Sequence, residues 1–389
     1  MQASDDPFSL YIHIPYCISK CPYCDFNSHV VAQIPETAYT DAILREMNGY
    51  AALDDWRGRT VQTIFFGGGT PSTFHPNGIA RILDNAVARW RIASSCEITL
   101  EANPGTVDGS YFGGYRSSGV NRISVGVQSF DQRLLKFLGR VHSADEARRA
   151  LAVVSEAGFD NFSLDLIYAN PGQSLTDLEH DLDSALSFRP PHLSAYNLTI
   201  EEGTPFGHEF RLGRISLLPE EEELAMGELV EHKLGQAGLA RYEISNYARL
   251  GSHSRHNVNY WRGGDYLGIG AGAHSYKKRS KSPVMAERWS NEKNPGRYMD
   301  HIRQAGHAVV ARENNQLITA AGEFMFLGLR MTEGISLQEF EARFQRSPSS
   351  FYPEISTWVE EGLMEQSGGA LRLSRRGFQV ANSIFVNFV

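Results

Sequence analysis

Short bursts of apolar, β-branched and aromatic residues occur at 9–15, 63–69, 97–103, 122–128, 161–170 and 192–199, bounded by Gly, Pro, Asn and Ser. These six segments predict six strands. Between them, at 36–50, 77–90, 108–118, 144–157 and 176–188, apolar residues recur every three or four positions. That spacing puts them on one face of a helix. Regular strand-helix alternation predicts an α/β protein with a parallel sheet, because a parallel partner is reached only by a crossover connection. An open doubly wound sheet and a full or partial TIM-type barrel both satisfy the pattern.

The ends of these strands are chemically unusual. The first runs into Cys17, Cys21 and Cys24; the second ends in Gly67-Gly68-Gly69-Thr70-Pro71, the third in Glu101-Ala102-Asn103-Pro104 and the fourth in Gly126-Val127-Gln128-Ser129. The fifth carries Asp165 and closes on Asn170-Pro171. In a parallel α/β barrel the loops after the strands share one rim, so five loops converge on a single cavity.

The pattern changes towards the C-terminus. An acidic helix is predicted over 220–234, followed by a Gly- and His-rich stretch at 251–276. Residues 277–295 are charged and poor in apolar positions, and are expected to form a connection. Beyond them come helices at 317–331, 336–344 and 351–361, a small wing around Gly368-Gly369, and a last helix from Arg375. The expectation is a larger unit over 1–290 and a winged-helix-like α+β module over 291–389.

Composition narrows the function classes. With 42% hydrophobic and 21% charged residues the chain is an ordinary globular protein. A formal charge of -8 offers no general attraction for phosphate backbones. Residues 331–389 hold five arginines against seven glutamates, so the wing is expected to cover or dock rather than to read nucleic acid. No apolar run approaches the roughly 18 residues of a membrane span, and the start MQASDDPFSL lacks a signal peptide's basic and apolar regions. A cytoplasmic location is expected. There, three cysteines within eight positions are metal-binding or redox-active before they are a disulfide scaffold. Cys96, isolated, is expected to be a buried small hydrophobe.

The triad supports two chemistries. His29 or His13 completes a Cys3His zinc site. Alternatively, three thiolates hold three irons of a four-iron four-sulfur cluster whose fourth iron takes an outside ligand.

In combination these residues resemble the radical S-adenosylmethionine (SAM) proteins, and within them the oxygen-independent coproporphyrinogen III oxidase group, over nearly the whole chain. The resemblance implies a partial (β/α)6 barrel, with Cys17, Cys21 and Cys24 as ligands of a 4Fe-4S cluster. It also implies SAM binding at Tyr11, at the glycine segment (Gly68, Gly69 and Thr70), at Glu101, Gln128 and Arg140, and at Asp165 as a ribose acceptor. Glycines there let backbone approach a ligand with no Cβ in the way. Gly268-Ile269-Gly270-Ala271-Gly272 lacks the strand-turn-helix context of a dinucleotide fingerprint.

Two departures separate the chain from the oxidases. Phe26 stands where they carry a further cysteine, and only sixteen residues precede Cys17. Instead, His256-Asn257-Val258-Asn259-Tyr260-Trp261 is similar to the HNxxYW motif of the related radical SAM haem chaperones. That resemblance implies haem bound at His256, Asn257, Tyr260 and Trp261, with His253 and His274 as alternative ligands. Imidazole is the usual axial ligand of haem iron, and Tyr and Trp offer flat apolar faces. It further implies a haem donor, an acceptor such as a membrane-bound respiratory protein, and an external electron donor, because the chain holds no second cysteine cluster. Homodimerisation is left open. The competing expectation is a coproporphyrinogen III oxidase, in which the cofactor supplies a radical for oxidative decarboxylation.

Overall fold

The structure is a computed structural model that describes residues 6–106, 109–279 and 284–388. All six expected strands form: β1 (Phe8–Ile14), β2 (Thr60–Gly68), β3 (Arg91–Ala102), β4 (Arg122–Gln128), β5 (Phe162–Tyr168) and β6 (His192–Asn197). They pair in parallel in sequence order. A seventh parallel strand, β7 (Tyr266–Ile269), adds to the outer side of β1 and aligns Tyr11 with Gly268. Only four residues long and inside the glycine-rich stretch, β7 has no period of its own to betray it.

Antiparallel strands extend both flanks. Beyond β7 lie β8 (His274–Lys278), β9 (Ala286–Asn291) and β10 (Val309–Asn315). Beyond β6 lie Asn246–Ala248 and Ala240–Arg241. The ends of this twelve-stranded order are not neighbours, so the sheet is an open partial barrel. β9 corrects the expected connection over 277–295. Its charged residues sit on paired faces, with Glu287 against Arg279 and Arg288 against Glu323, while Ala286, Trp289 and Asn291 point into the protein.

The strands are apolar because both faces are covered. In β1 only Tyr11 is not fully buried. Helices Glu36–Ala52 and Pro76–Arg89 cover one flank. Capping boxes start Ala144–Glu156, where Ser143 pairs with Glu146, and Leu175–Ser187, where Ser174 pairs with Asp177. The expected helix from 108 is Gly109–Ser117; Asp108 itself lies outside the described residues.

Two polar ties cross this core. Arg59 and Asp265 form an ion pair of 2.8 Å with side chains 1% and 7% exposed. The Arg59 guanidinium also lies over the Phe8 and Trp56 rings. Glu46, buried on Glu36–Ala52, accepts hydrogen bonds from Gly270 N (3.0 Å), Asn291 Nδ2 (2.7 Å) and the Tyr298 hydroxyl (2.7 Å).

Helix Pro295–Ala305 packs on the large core through Tyr298 and Ile302, and the second core begins at Ala320. The two units therefore meet near 316 rather than at 291. The second is winged: helix Leu317–Gly328, helix Leu337–Phe344, and a three-stranded antiparallel sheet of Ile335–Ser336, Ala370–Leu373 and Met364–Ser367. The helix expected over 351–361 is split into Pro348–Phe351 and Glu354–Glu360, because Pro353 lacks the amide that would continue it. No described helix is long and apolar enough to cross a membrane.

Candidate functional site

The cysteine loop leaves β1 at the C-terminal rim. Tyr16–Cys17 pairs with His29–Val30, and Cys24 N donates to Cys21 O at 3.1 Å, which folds the triad onto one loop. The glycine segment after β2 lies directly against it. Gly69 N donates to Ile14 O and Thr70 N to Tyr16 O, both at 2.8 Å. A Cβ on Gly69 would sit 2.7 Å from the Tyr16 backbone, so only glycine permits this approach.

Two donors point at the sulfurs. Thr70 Oγ1 donates to Cys17 Sγ at 3.3 Å and Arg140 Nη1 to Cys21 Sγ at 3.5 Å. Arg140 is fixed by Nη2 donating to Gly126 O at 2.8 Å, and its Nε is buried without a protein partner. Burial pushes the Cys17 and Cys24 thiols up, and the Thr70 hydroxyl opposes that at Cys17.

Among the described residues no three His, Cys, Asp or Glu side chains gather closely enough to hold one metal. His13 has both ring nitrogens engaged, with Tyr11 Oη at 3.0 Å and Asn27 O at 2.9 Å, and His29 bonds Asn27 Oδ1 at 3.2 Å.

Next to the loop stand the polar residues of the strand ends. Glu101 Oε2 accepts from Gly68 N at 3.3 Å; burial first, and then the Asp165 charge, push its carboxyl up to about 8. Asp165 accepts from Ser124 Oγ at 3.2 Å and Ser163 Oγ at 3.4 Å, and burial raises it too. Gln128 ends β4 at φ 67°, a left-handed turn that brings its amide towards Gly126 and Arg140. Arg122, with a buried and unpartnered Nε, lowers both carboxyls by its charge. Sequence inspection passes over Arg122 because it opens β4, at the opposite end from the rim.

The HNVNYW segment is a helix, Arg255–Trp261. His256 does not reach a cavity wall. It is fully buried, its Nδ1 bonded to Thr63 Oγ1 and its Nε2 to Tyr260 Oη, each at 2.8 Å, and its backbone amide donates to Glu97. Burial, followed by the Arg122 charge, lowers its ring to about 3. The expected haem ligand is thus a neutral strut that holds Tyr260. Asn257 is half-buried and also off the wall, and His253 stacks on Tyr242 with ring centroids 4.2 Å apart. Tyr260 and Trp261 do face a cavity, and Arg330 lies 4.4 Å over the Trp261 ring.

That cavity, of about 520 Å³, joins the two motifs. Tyr11, Gly68 and Glu101 line it from the strand ends, Phe26, Tyr260 and Trp261 give it aromatic surface, His274, Arg288 and Lys293 also line it, and Leu327 comes from the C-terminal unit.

Residues 11–185 match the Radical SAM superfamily, and residues 316–380 match the HemN C-terminal domain. The heme chaperone HemW of Escherichia coli K12 is 38% identical over 385 residues, covering 98% of each chain. That of Bacillus subtilis 168 is 36% identical over 385 residues, covering 98% of this chain and 99% of its own. The chain belongs to the HemW heme chaperone family. Coproporphyrinogen III oxidase (HemN) from Escherichia coli, described as a radical SAM enzyme, superposes with a TM-score of 0.82 over 98% of this chain and 90% of that one, at 21% identity. The chain and that oxidase therefore share a fold. Radical SAM membership implies a 4Fe-4S cluster and SAM, and the donor set fits both: three thiols with two hydrogen-bond donors on them, and beside them a glycine cradle with buried carboxyls.

Proposed function

We propose that the protein carries haem: it holds a 4Fe-4S cluster on Cys17, Cys21 and Cys24, SAM beside it, and haem in the adjoining cavity, and passes haem to an acceptor protein. The observation that carries this reading is the single cavity that joins the cysteine loop to Tyr260 and Trp261. Its aromatic walls with a few polar groups suit a flat macrocycle with charged edges. We assign SAM to Tyr11, Gly68, Gly69, Thr70, Glu101, Gln128, Arg140 and Asp165, of which Tyr11, Gly68 and Glu101 line the cavity. The cluster and SAM supply one-electron chemistry when bound. This chain's residues hold and shield them: Arg140 donates to Cys21 Sγ, Thr70 donates to Cys17 Sγ against the burial that raises that thiol, and Glu101 presents a carboxyl beside the Gly68 amide. The relatives' name, heme chaperone, points the same way. A haem donor and a haem acceptor are the partners this function requires, and respiratory haem proteins are the acceptor class we propose. Anaerobic titration of the cluster-loaded protein with haem, followed by mixing with an apo haem protein, tests the reading. Uptake of one haem per chain and its delivery are expected. No uptake, or anaerobic conversion of coproporphyrinogen III to protoporphyrinogen, would overturn it in favour of the oxidase.

A further inference from the structure

The haem-carrier reading leaves open which atom meets the iron, and the side chains around the cavity discriminate between candidates. Two of the three histidines at or next to it are already committed. His256 and His13 each use both ring nitrogens and are buried. Releasing His256 would break two 2.8 Å hydrogen bonds and leave the Tyr260 hydroxyl without its partner, at about 1–3 kcal/mol, while Thr63 would keep only its bond to Ser9 Oγ. His274 is different. It lines the cavity, its side is exposed, and its ring has no hydrogen-bond partner among the described residues. Burial, and then the charges of Arg288 and Lys293, hold it below the usual imidazole range, with Glu313 opposing, so a ring nitrogen is available as a lone-pair donor at neutral pH.

The glycine run before it is the device that puts it there. β7 turns back into β8 so tightly that a Cβ on Gly268 would meet the His274 carbonyl oxygen at contact shorter than any real side chain tolerates. Gly270 and Gly272 sit at φ 107° and 75°, with Gly270 against His13 and Gly272 against Asn27 of the cysteine loop. The glycine run thus places one imidazole on the cavity lining.

The charges beside it match a porphyrin's edge. Arg288 is already held by Tyr266 Oη at 3.0 Å and Glu323 at 3.0 Å, whereas Lys293 is exposed on the cavity lining with no ion-pair partner among the described residues. A dianionic tetrapyrrole entering with its iron towards His274 brings a carboxylate to Lys293.

We propose that His274, rather than His256, ligates haem iron, with Lys293 taking a propionate; this rests on the haem-carrier reading. The test is anaerobic haem titration of the cluster-loaded wild type and of His274→Ala, His274→Gln, His256→Ala and Lys293→Ala, read by Soret position, electron paramagnetic resonance and affinity. The wild type is expected to give an imidazole-ligated spectrum. Both His274 variants lose it and bind haem at least about tenfold more weakly, and added imidazole restores the band in His274→Ala. His256→Ala keeps the band position. Lys293→Ala binds more weakly without moving the band. Wild-type spectrum and affinity in both His274 variants would overturn the assignment while leaving the haem-carrier reading intact, as would loss of the band in His256→Ala alone. A wild type that takes up no haem would overturn the carrier reading itself.

Discussion

Gly69→Ala examines the contact on which the candidate cluster site depends. The added methyl would stand 2.7 Å from Tyr16 N and O and 2.9 Å from Ile14 O, all backbone atoms that cannot rotate away. To restore ordinary contact at 3.4 Å the glycine segment must recede from the cysteine loop by about 0.7 Å, the difference from 2.7 Å. That movement stretches the two 2.8 Å bonds, Gly69 N to Ile14 O and Thr70 N to Tyr16 O, beyond useful length. Each is worth about 1 kcal/mol net, and lost packing adds to them, while the stiffer unfolded chain returns about 0.4–1 kcal/mol. The expected net loss is about 2 kcal/mol. The recession also takes away the backbone brace that the glycine segment gives the cysteine loop at Ile14 and Tyr16, so iron retained after anaerobic reconstitution should fall. Gly113→Ala is the matched control: Gly113 lies within a helix with nothing inside 4 Å of its would-be Cβ, and alanine there should add about 0.5–1 kcal/mol. Urea unfolding and iron analysis of both variants decide the matter. A Gly69→Ala protein within about 0.5 kcal/mol of wild type, with full iron content, would refute the reasoning.

Three further outcomes follow from the same contacts. Glu46, raised by burial to about 7 from 4.5, keeps its proton in the folded chain after the unfolded chain has released it; stability therefore falls as pH rises from 4.5 through 7, by up to about 3 kcal/mol. Glu46→Gln should remove that slope, and wild-type and variant curves of urea midpoint against pH that run parallel between pH 5 and 8 would contradict it. Arg59→Met strands Asp265 in the core and should cost about 3–5 kcal/mol in chemical denaturation; an unchanged midpoint would mean the pair contributes nothing. Thr70→Val removes the hydroxyl donor from Cys17 Sγ, and because donors to sulfur stabilise the reduced cluster, its potential should move in the negative direction with iron content unchanged. Redox titration with an unmoved potential would show that this bond does not reach the cluster.

The sheet is legible in the sequence because its strands are buried on both faces and punctuated by Gly and Pro. β9 is not legible, since its charged residues read as a solvated stretch until Glu287 meets Arg279 across the hairpin and Arg288 meets Glu323, 35 residues on. The cysteine triad and glycine segment announce themselves by residue type. The role of His256 is harder to read. Its four-residue spacing from Tyr260 places both on one helix face, which is the signal of a local pair, yet burial against Thr63 comes from β2, far away in the chain. Lys293 and Asn27 carry no motif at all and acquire meaning only from what they touch.

Asn27 joins three segments of the chain. From within the cysteine loop its Nδ2 donates to Ala271 O at 3.0 Å and to Lys293 O at 2.9 Å. One amide thus staples the turn that aims His274 and the backbone of Lys293 to the loop bearing the thiols. Oxidative loss of iron would untether that loop at one end and slacken the staple at the other. Loss of iron from the thiols would then be felt at the turn before His274 and at the Lys293 backbone, two segments that carry no cysteine.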